Sequence, residues 1–264
     1  MQVIHLICIF YLLSGKRGFV NYYVRKTASS SRNTFVFKQF EVDQSNCAMK
    51  INTDGVLLAA MVASKNPKHI LDVGTGTGVI ALMLAQRFEN AAVVAIEIDQ
   101  AASATAERNF QRSIFHQRLT VSHVAVEEFK SAIKFDLIVS NPPFFVNDLK
   151  NQEEKKGLAR HTDEVFFDEL VAKVNVLLSD QGSFWLILPV KQTLLVIEKA
   201  ARFGMKVAQS IHVHSDETRP EFRRIICLKR DVQSAVEEHF YIYQSEKVYT
   251  SDYKQLLKDF FLAY

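Results

Sequence analysis

The sequence predicts an α/β fold: a mostly parallel seven-stranded sheet with helices on both faces and an antiparallel last strand. Three observations predict it. From about residue 66 onward, short β-rich apolar runs alternate with helical patterns, as parallel strands joined by crossover helices require. The first such run opens into a glycine-rich turn, Gly74-Thr75-Gly76-Thr77-Gly78, followed at once by an apolar helical stretch. The fourth run ends in Asn141-Pro142-Pro143-Phe144, where adjacent prolines force the chain out of the sheet.

Residues 69–73 form the first strand, and 79–87 a compact apolar helix after the glycine turn. Residues 93–98 form the second strand, which stops at Glu97-Ile98-Asp99. Residues 101–110 contain few β-branched side chains and read as a helix. Residues 119–124 are a third strand and 135–139 a short buried fourth. The polar, highly charged stretch 147–160 is expected to be a solvated loop. Residues 163–178 show a helical apolar pattern through Phe166, Phe167, Leu170, Val174 and Leu177. Gly182 punctuates the chain before a strand at 183–188, and 193–203 form the next helix. Residues 207–213 and 224–228 flank the polar Asp216-Glu217-Thr218-Arg219-Pro220 segment and are expected to pair as a hairpin-like edge. A short extra strand at 241–243 and a closing helix at 251–261 complete the chain.

Composition narrows the class of protein. Of 264 residues, 48% are apolar and 23% charged, an ordinary globular balance with room for one substantial core. Cys8, Cys47 and Cys227 lie far apart, so neither a disulfide framework nor a cysteine-rich metal site is expected, and a reducing, cytoplasmic setting fits. The net charge of +3 divides unevenly. Lys16, Arg17, Arg25, Lys26, Arg32 and Lys38 fall in residues 1–38 with no acid among them, which leaves 26 basic against 29 acidic residues in the rest. Any nucleic-acid surface must therefore be a local patch.

Residues 1–32 stand apart as an N-terminal leader or extension, expected to be poorly ordered, and 33–264 as a single domain. Residues 3–13 are an apolar run too short to span a bilayer as a helix. Lys16 and Arg17 follow that run, whereas a secretory signal carries its positive charge before it. An accessory strand or helix packed on the body, or a membrane anchor, are the other readings of this segment. No membrane partner is expected.

The glycine turn lets the backbone approach a ligand closely, and the helix after it offers free amide donors. Gly74, Gly76 and Gly78, with Asp72 just before them, are the candidate cofactor-binding residues here. Glu97 ends the second strand about twenty residues later, where its carboxylate would accept from both hydroxyls of a ribose. A nicotinamide dinucleotide and S-adenosylmethionine fit this pair equally well. The motif after the fourth strand separates them, because hydride transfer gives no reason for Asn-Pro-Pro-Phe and methylation of an amino group does. The Asn141 side-chain oxygen and the Pro142 carbonyl would accept from a substrate NH2 and draw its lone pair out of conjugation. Pro142 and Pro143 stiffen the segment by fixing their own φ. Phe144 would stack on a planar substrate, a contact worth roughly 1–3 kcal/mol for a base. Positioning would supply most of the catalysis, and no metal is required.

These motifs resemble those of class I methyltransferases with an Asn-Pro-Pro-Phe/Tyr motif and, more narrowly, the bacterial tRNA1(Val) adenine-37 N6-methyltransferase family. The resemblance covers roughly residues 33–264. Its narrow part rests on Phe37-Lys38-Gln39-Phe40, Met49-Lys50-Ile51-Asn52-Thr53-Asp54-Gly55, Ala159-Arg160-His161 and the ending at 249–264. It implies a Rossmann-like class I methyltransferase fold, S-adenosylmethionine as cofactor, and Lys50, Thr53 and Asp54 near the cofactor pocket. It implies tRNA, specifically tRNA(Val), as partner, with no obligatory protein partner and a monomeric state. Many class I enzymes carry an acid after the third strand to accept from the cofactor's adenine amino group; Ala125 stands there in this sequence. Glu127, Glu128, or backbone atoms with water would complete that part of the site.

Two segments are candidates for RNA contact. Lys150, Lys155, Lys156, Arg160 and His161 follow the catalytic motif, mixed with Glu153 and Glu154, and read as a solvated loop or as a lid on the RNA backbone. Lys38, Arg219 and Arg223 are the other basic candidates, although Arg223 and Arg224 border a strand whose exposed edge either could cap. His161, His212 and His214 show no metal-ligand spacing. The same motifs are compatible with guanine N2 of ribosomal RNA, adenine in DNA or protein glutamine as the methylated group, and more remotely with a non-catalytic RNA-binding module.

Overall fold

The computed structural model describes residues 6–10, 18–22, 33–45, 47, 49–143 and 154–264, with 6–10, 18–22 and 154–163 as backbone alone. In chain order the elements are β1 (Leu6–Phe10), β2 (Gly18–Tyr22), β3 (Thr34–Val36), β4 (Glu41–Asp43), α1 (Thr53–Met61), β5 (His69–Val73), α2 (Val79–Arg87), β6 (Ala92–Glu97), α3 (Gln100–Arg112), β7 (Leu119–His123) and β8 (Phe135–Ser140). They continue through α4 (Glu154–Leu177), β9 (Leu178–Leu188), α5 (Val190–Ala201), β10 (Lys206–His214), β11 (Glu221–Lys229), β12 (Val236–Tyr241), β13 (Tyr243–Ser245), β14 (Val248–Tyr249) and α6 (Ser251–Leu257). β1 and β2 pair antiparallel; the rest of the 1–32 extension lies outside the described residues.

The central sheet has the order β12-β10-β11-β9-β8-β5-β6-β7. β5 pairs parallel with both β6 and β8, so the chain winds outward in two directions from β5. Such a switch point opens a crevice at the carboxyl ends of the central strands, where ligands of doubly wound folds sit. β11 runs antiparallel to both β9 and β10. It is the seventh strand of the sheet along the chain, as expected, but it inserts between β9 and β10 instead of forming the edge.

The sheet departs from expectation in having eight strands among the described residues, because β12 adds to β10 in parallel. Val236, Glu237 and Glu238 of β12 are exposed, so its sequence carries no apolar alternation to read. Charges on an edge strand blunt further pairing, and beside the backbone ladder Glu237 pairs with His212 at 2.6 Å and His239 with His214 at 2.9 Å. Residues 154–160 are helical and open α4, where a loop was expected. Charge alone did not argue against helix there, since Glu, Lys, Leu and Ala are all good helix formers. β9 likewise starts at Leu178 and passes through Gly182. A Cβ at Gly182 would meet Leu178 Cδ1 at 2.7 Å and the Phe135 carbonyl at 2.9 Å, so the glycine marks a close approach of β8, not a break.

Alternation along the strands fills two cores. Trp185, Ile187, Ile225 and Cys227 pack with α1, α2 and α6 on one face through Leu57, Leu82 and Leu257. Phe184, Leu186, Ile226 and Leu228 pack with α4 and α5 on the other through Phe167, Leu170 and Val196. The two ends of the body close on each other. The Phe37 ring stacks on Phe40 at 4.4 Å and meets Phe261 at 5.7 Å. The Lys38 amide donates to the Phe260 carbonyl at 2.8 Å. No helix among the described residues is long and apolar enough to cross a membrane.

Candidate active site

The glycine turn leaves β5 with Gly74, Gly76 and Gly78 at φ of 73°, 57° and 85°, a left-handed backbone that other residues resist. The Gly74 and Thr75 amides both donate to the Ile96 carbonyl, which folds the turn over the end of β6. A Cβ at Gly74 or Gly76 would find no atom within 4 Å, so open space faces the turn there. At Gly78 it would strike Phe110 Cε1 at 2.5 Å, because α3 packs directly against the start of α2.

Acids brace this turn from both sides. Glu97 Oε2 accepts from the Gly76 amide at 2.8 Å, and Oε1 accepts from the Asp99 amide at 2.9 Å. Asp72 is fully buried beneath the turn, and its Oδ2 accepts from Thr75 Oγ1 at 2.6 Å. Its Oδ1 has no hydrogen-bond partner, and burial pushes the carboxyl up to about 7. Asp72 therefore acts on the turn from below instead of facing the open side. Buried Asn109 of α3 donates to the Thr77 carbonyl at 2.8 Å and to the Asp43 carbonyl at 2.9 Å, which ties β4 to the turn.

Asn141 leaves β8 at the same level. Val73 and Ser140 are register partners, and Ser140 Oγ donates to the Val73 carbonyl at 2.9 Å. The glycine turn and the Asn-Pro-Pro segment thus start from adjacent, tied strand ends, although 67 residues separate those ends. Asn141 is half-buried, Pro142 buried and Pro143 exposed. Asn141 Nδ2 approaches Asn52 Oδ1 at 3.5 Å. Asn52 is the N-cap of α1, and the same oxygen accepts from the Gly55 amide at 2.9 Å. Phe144 lies outside the described residues.

The Met49–Gly55 signature therefore reaches the site through the start of α1. Thr53 and Asp54 are buried in its first turn, while Lys50 is exposed. Asp54 Oδ2 accepts from Arg223 Nε of β11 at 2.7 Å, so the Arg223 guanidinium turns inward. Burial pushes the Asp54 carboxyl up, and Arg223 opposes that shift. Lys38 Nζ donates to the Lys258 and Tyr264 carbonyls, which makes it a clasp on the C-terminal segment. Arg219 is exposed beside the β10–β11 connection, and its carbonyl pairs with His214 Nδ1 at 2.9 Å. Ala125 opens a turn after β7, accepting from the Glu128 and Phe129 amides, and Glu127 and Glu128 are both exposed. Lys150 and the side chains of Lys155, Lys156, Arg160 and His161 lie outside the described residues.

Sequence reasoning missed Asn52, Asn109 and the inward role of Arg223. Only Asn52 had a local signal: an Asn directly before Thr53-Asp54 and an apolar run is a helix N-cap pattern. With three left-handed glycines, open space above two of them, the Glu97 carboxylate and an amide-bearing helix start, the residues fit a nucleoside cofactor.

Comparisons with known proteins agree with this geometry. A family model described as the methyltransferase small domain matches residues 45–200. The chain is 54% identical over 233 residues to the tRNA1(Val) (adenine(37)-N6)-methyltransferase of Pedobacter heparinus, covering 88% of this chain and all of that one. It is 39% identical to the protein of the same description from Dyadobacter fermentans, covering 87% of this chain and 98% of that one. Among solved structures it is similar in fold to a predicted O-methyltransferase from Agrobacterium tumefaciens, with a TM-score of 0.61 and 18% identity over 78% of this chain and 96% of that one.

Proposed function

Because the chain belongs to the tRNA1(Val) (adenine-37-N6)-methyltransferase family, we propose that it transfers a methyl group from S-adenosylmethionine to the exocyclic N6 of adenine 37 in tRNA(Val). The observation that carries the reading is the juxtaposition of Asn141 with the glycine turn at the tied ends of β8 and β5. S-adenosylmethionine supplies a methyl group on a sulfonium, already a good electrophile. Gly74, Gly76 and Gly78 let the backbone approach it, Glu97 holds the ribose, and Asp72 supports the turn through Thr75. Lys50, just before α1, and Thr53 and Asp54 in its first turn would bound the cofactor pocket, and Ala125 would border the cofactor's adenine.

Asn141 Oδ1 and the Pro142 carbonyl accept the two N6 hydrogens, which turns the nitrogen lone pair toward the methyl group. Pro143 stiffens the segment, and Phe144 stacks on the base as the family resemblance implies. The adenine leaves its stack in the anticodon loop to reach Asn141, which is cheaper from a single-stranded loop than from a duplex. Lys150, Lys155, Lys156, Arg160, His161 and Arg219 are the residues proposed to position the RNA backbone. Lys38 and Arg223 are reassigned to holding the fold, since their cationic groups face the C-terminal carbonyls and Asp54. Residues 33–264 act as one catalytic unit, a monomer in the cytoplasm, where Cys47 and Cys227 remain free thiols.

The test is labelled methyl transfer to total tRNA, ribosomal RNA and DNA, followed by nucleoside mass spectrometry and position mapping. N6-methyladenosine at position 37 of tRNA(Val) is expected. Product in another pool with none in tRNA would sink the reading.

A further inference from the structure

An Asn that must accept from a substrate amino group has a problem of its own. Its terminal torsion is broad and roughly two-fold, so the carboxamide can present either its oxygen or its NH2. Presented the wrong way, Asn141 would aim donors at a donor, and the substrate nitrogen would be repelled. Something must choose the orientation.

Resting on the reading above, we propose that Asn52 is the positioning residue that makes this choice, holding the Asn141 NH2 so that its oxygen faces the substrate. The Gly55 amide can only donate, and it points at the Asn52 side chain at 2.9 Å, so Asn52 must turn its oxygen toward the start of α1. That same oxygen faces Asn141 at 3.5 Å, and an acceptor there leaves Asn141 only one compatible end, its Nδ2. Gly55 closes the arrangement on the same side: a Cβ there would stand 3.5 Å from Asn141 Nδ2. With Nδ2 turned toward α1, Oδ1 is left as the other arm of the carboxamide, free of Asn52. The 3.5 Å separation is at the outer limit of a hydrogen bond, enough to set polarity while leaving Asn141 room to close on a base. α1 thereby does more than cover the pocket, since its cap sets the polarity of the catalytic amide.

The N-cap role of Asn52 complicates a simple deletion, so the substitutions must separate cap from orientation. Asn52→Ser keeps a good cap but is too short to reach Asn141. Asn52→Asp keeps both the cap and an acceptor oxygen at the same reach. With tRNA(Val) transcript and saturating S-adenosylmethionine, Asn52→Ser is expected to lower kcat at least about tenfold, with KM for tRNA, cofactor affinity and melting temperature near wild type. Asn52→Asp is expected to restore most of that rate. In an Asn141→Ala background, single-turnover rates should show no further loss from Asn52→Ser, because the group it orients is gone. Wild-type kcat in Asn52→Ser, an Asn52→Asp enzyme as slow as the Ser variant, or an equal loss in the Asn141→Ala background would each overturn the proposal. The last outcome would identify a purely structural role, even if the Ser variant folds poorly. If wild-type protein makes no N6-methyladenosine in tRNA, the proposed function fails instead, and the two failures are told apart within one assay.

Discussion

Arg223 Nε of β11 donates to Asp54 Oδ2 of α1 at 2.7 Å, joining residues 169 apart in sequence. The pair fastens the helix that caps the site to the antiparallel strand of the sheet. Asp54 is buried, whereas the Arg223 side chain keeps 25% of its exposure, so the carboxylate depends on the guanidinium more than the reverse. Removing one partner of such a pair strands the other charge. Arg223→Ala should therefore cost roughly 2–4 kcal/mol in urea unfolding, trimmed from the fully buried case by the exposure of the guanidinium. It should leave the salt dependence of tRNA binding unchanged. An unaltered unfolding midpoint with a salt slope reduced by about one would assign Arg223 to an RNA phosphate instead.

Asn141 separates chemistry from binding. Its carboxamide accepts from the substrate in our reading and takes no part in holding the glycine turn. Asn141→Ala should lower kcat at least about a hundredfold, in line with the loss of one oriented polar group at a reacting centre. Calorimetric affinity for S-adenosylmethionine should stay within a few-fold of wild type. A matching loss of both would place Asn141 in the cofactor pocket.

Gly76 and Gly78 make an internal control for the turn. Gly78→Ala combines a left-handed φ of 85° with a Cβ 2.5 Å from Phe110, so it should destabilise the fold by roughly 2–4 kcal/mol. Gly76→Ala has open space before it and a φ of 57°, so about 1–2 kcal/mol of backbone strain is expected. Its larger effect should be on cofactor affinity, because the methyl group projects into the space facing the turn. Thermal melts with and without S-adenosylmethionine check both. An unchanged melting shift on adding S-adenosylmethionine to Gly76→Ala would show that the open side is not where the cofactor lies.

Asp72 should make stability pH-dependent near neutrality. Burial, aided by the negative charge of Glu97 and opposed by its hydrogen bonds, raises the carboxyl to about 7. Its unfolded value is about 3.9, so the fold favours the neutral form. The contribution of this group is fully present below the unfolded value and is lost as pH rises through about 7. The melting temperature of cofactor-free protein should fall between pH 6 and 8 more steeply than that of Asp72→Asn, which keeps an acceptor for Thr75. Parallel profiles for the two proteins would remove Asp72 as the cause.

Much of the sheet was legible because its strands are buried on both faces or open into turns with their own chemistry. The strand at 69–73 and the helix at 79–87 coincide with β5 and α2, since an apolar run, three glycines and another apolar run each carry a local reason. β12 was illegible for the opposite reason: exposed Val236, Glu237 and Glu238 leave no pattern, and only its register with β10 makes it a strand. Gly182 read as a break when it was a point of close approach, because nothing in its neighbours announces Phe135.

By itself the sequence determined the alternation of strands and helices, the glycine turn and the position where the chain leaves β8, all of which follow from backbone geometry and local periodicity, whereas the strand order was set by packing. It also determined the kind of chemistry, because Asn-Pro-Pro carries acceptors on a stiff segment whatever surrounds it. Only the tertiary structure decided which charged groups work inward. Lys38 clasps the C-terminal segment, Arg223 compensates Asp54, and Asn52 meets Asn141, and none of these partners lies within 80 residues of the other. Charge and polarity are written in the sequence, but a side chain's partner is set by which strand ends and helix starts the packed core brings together.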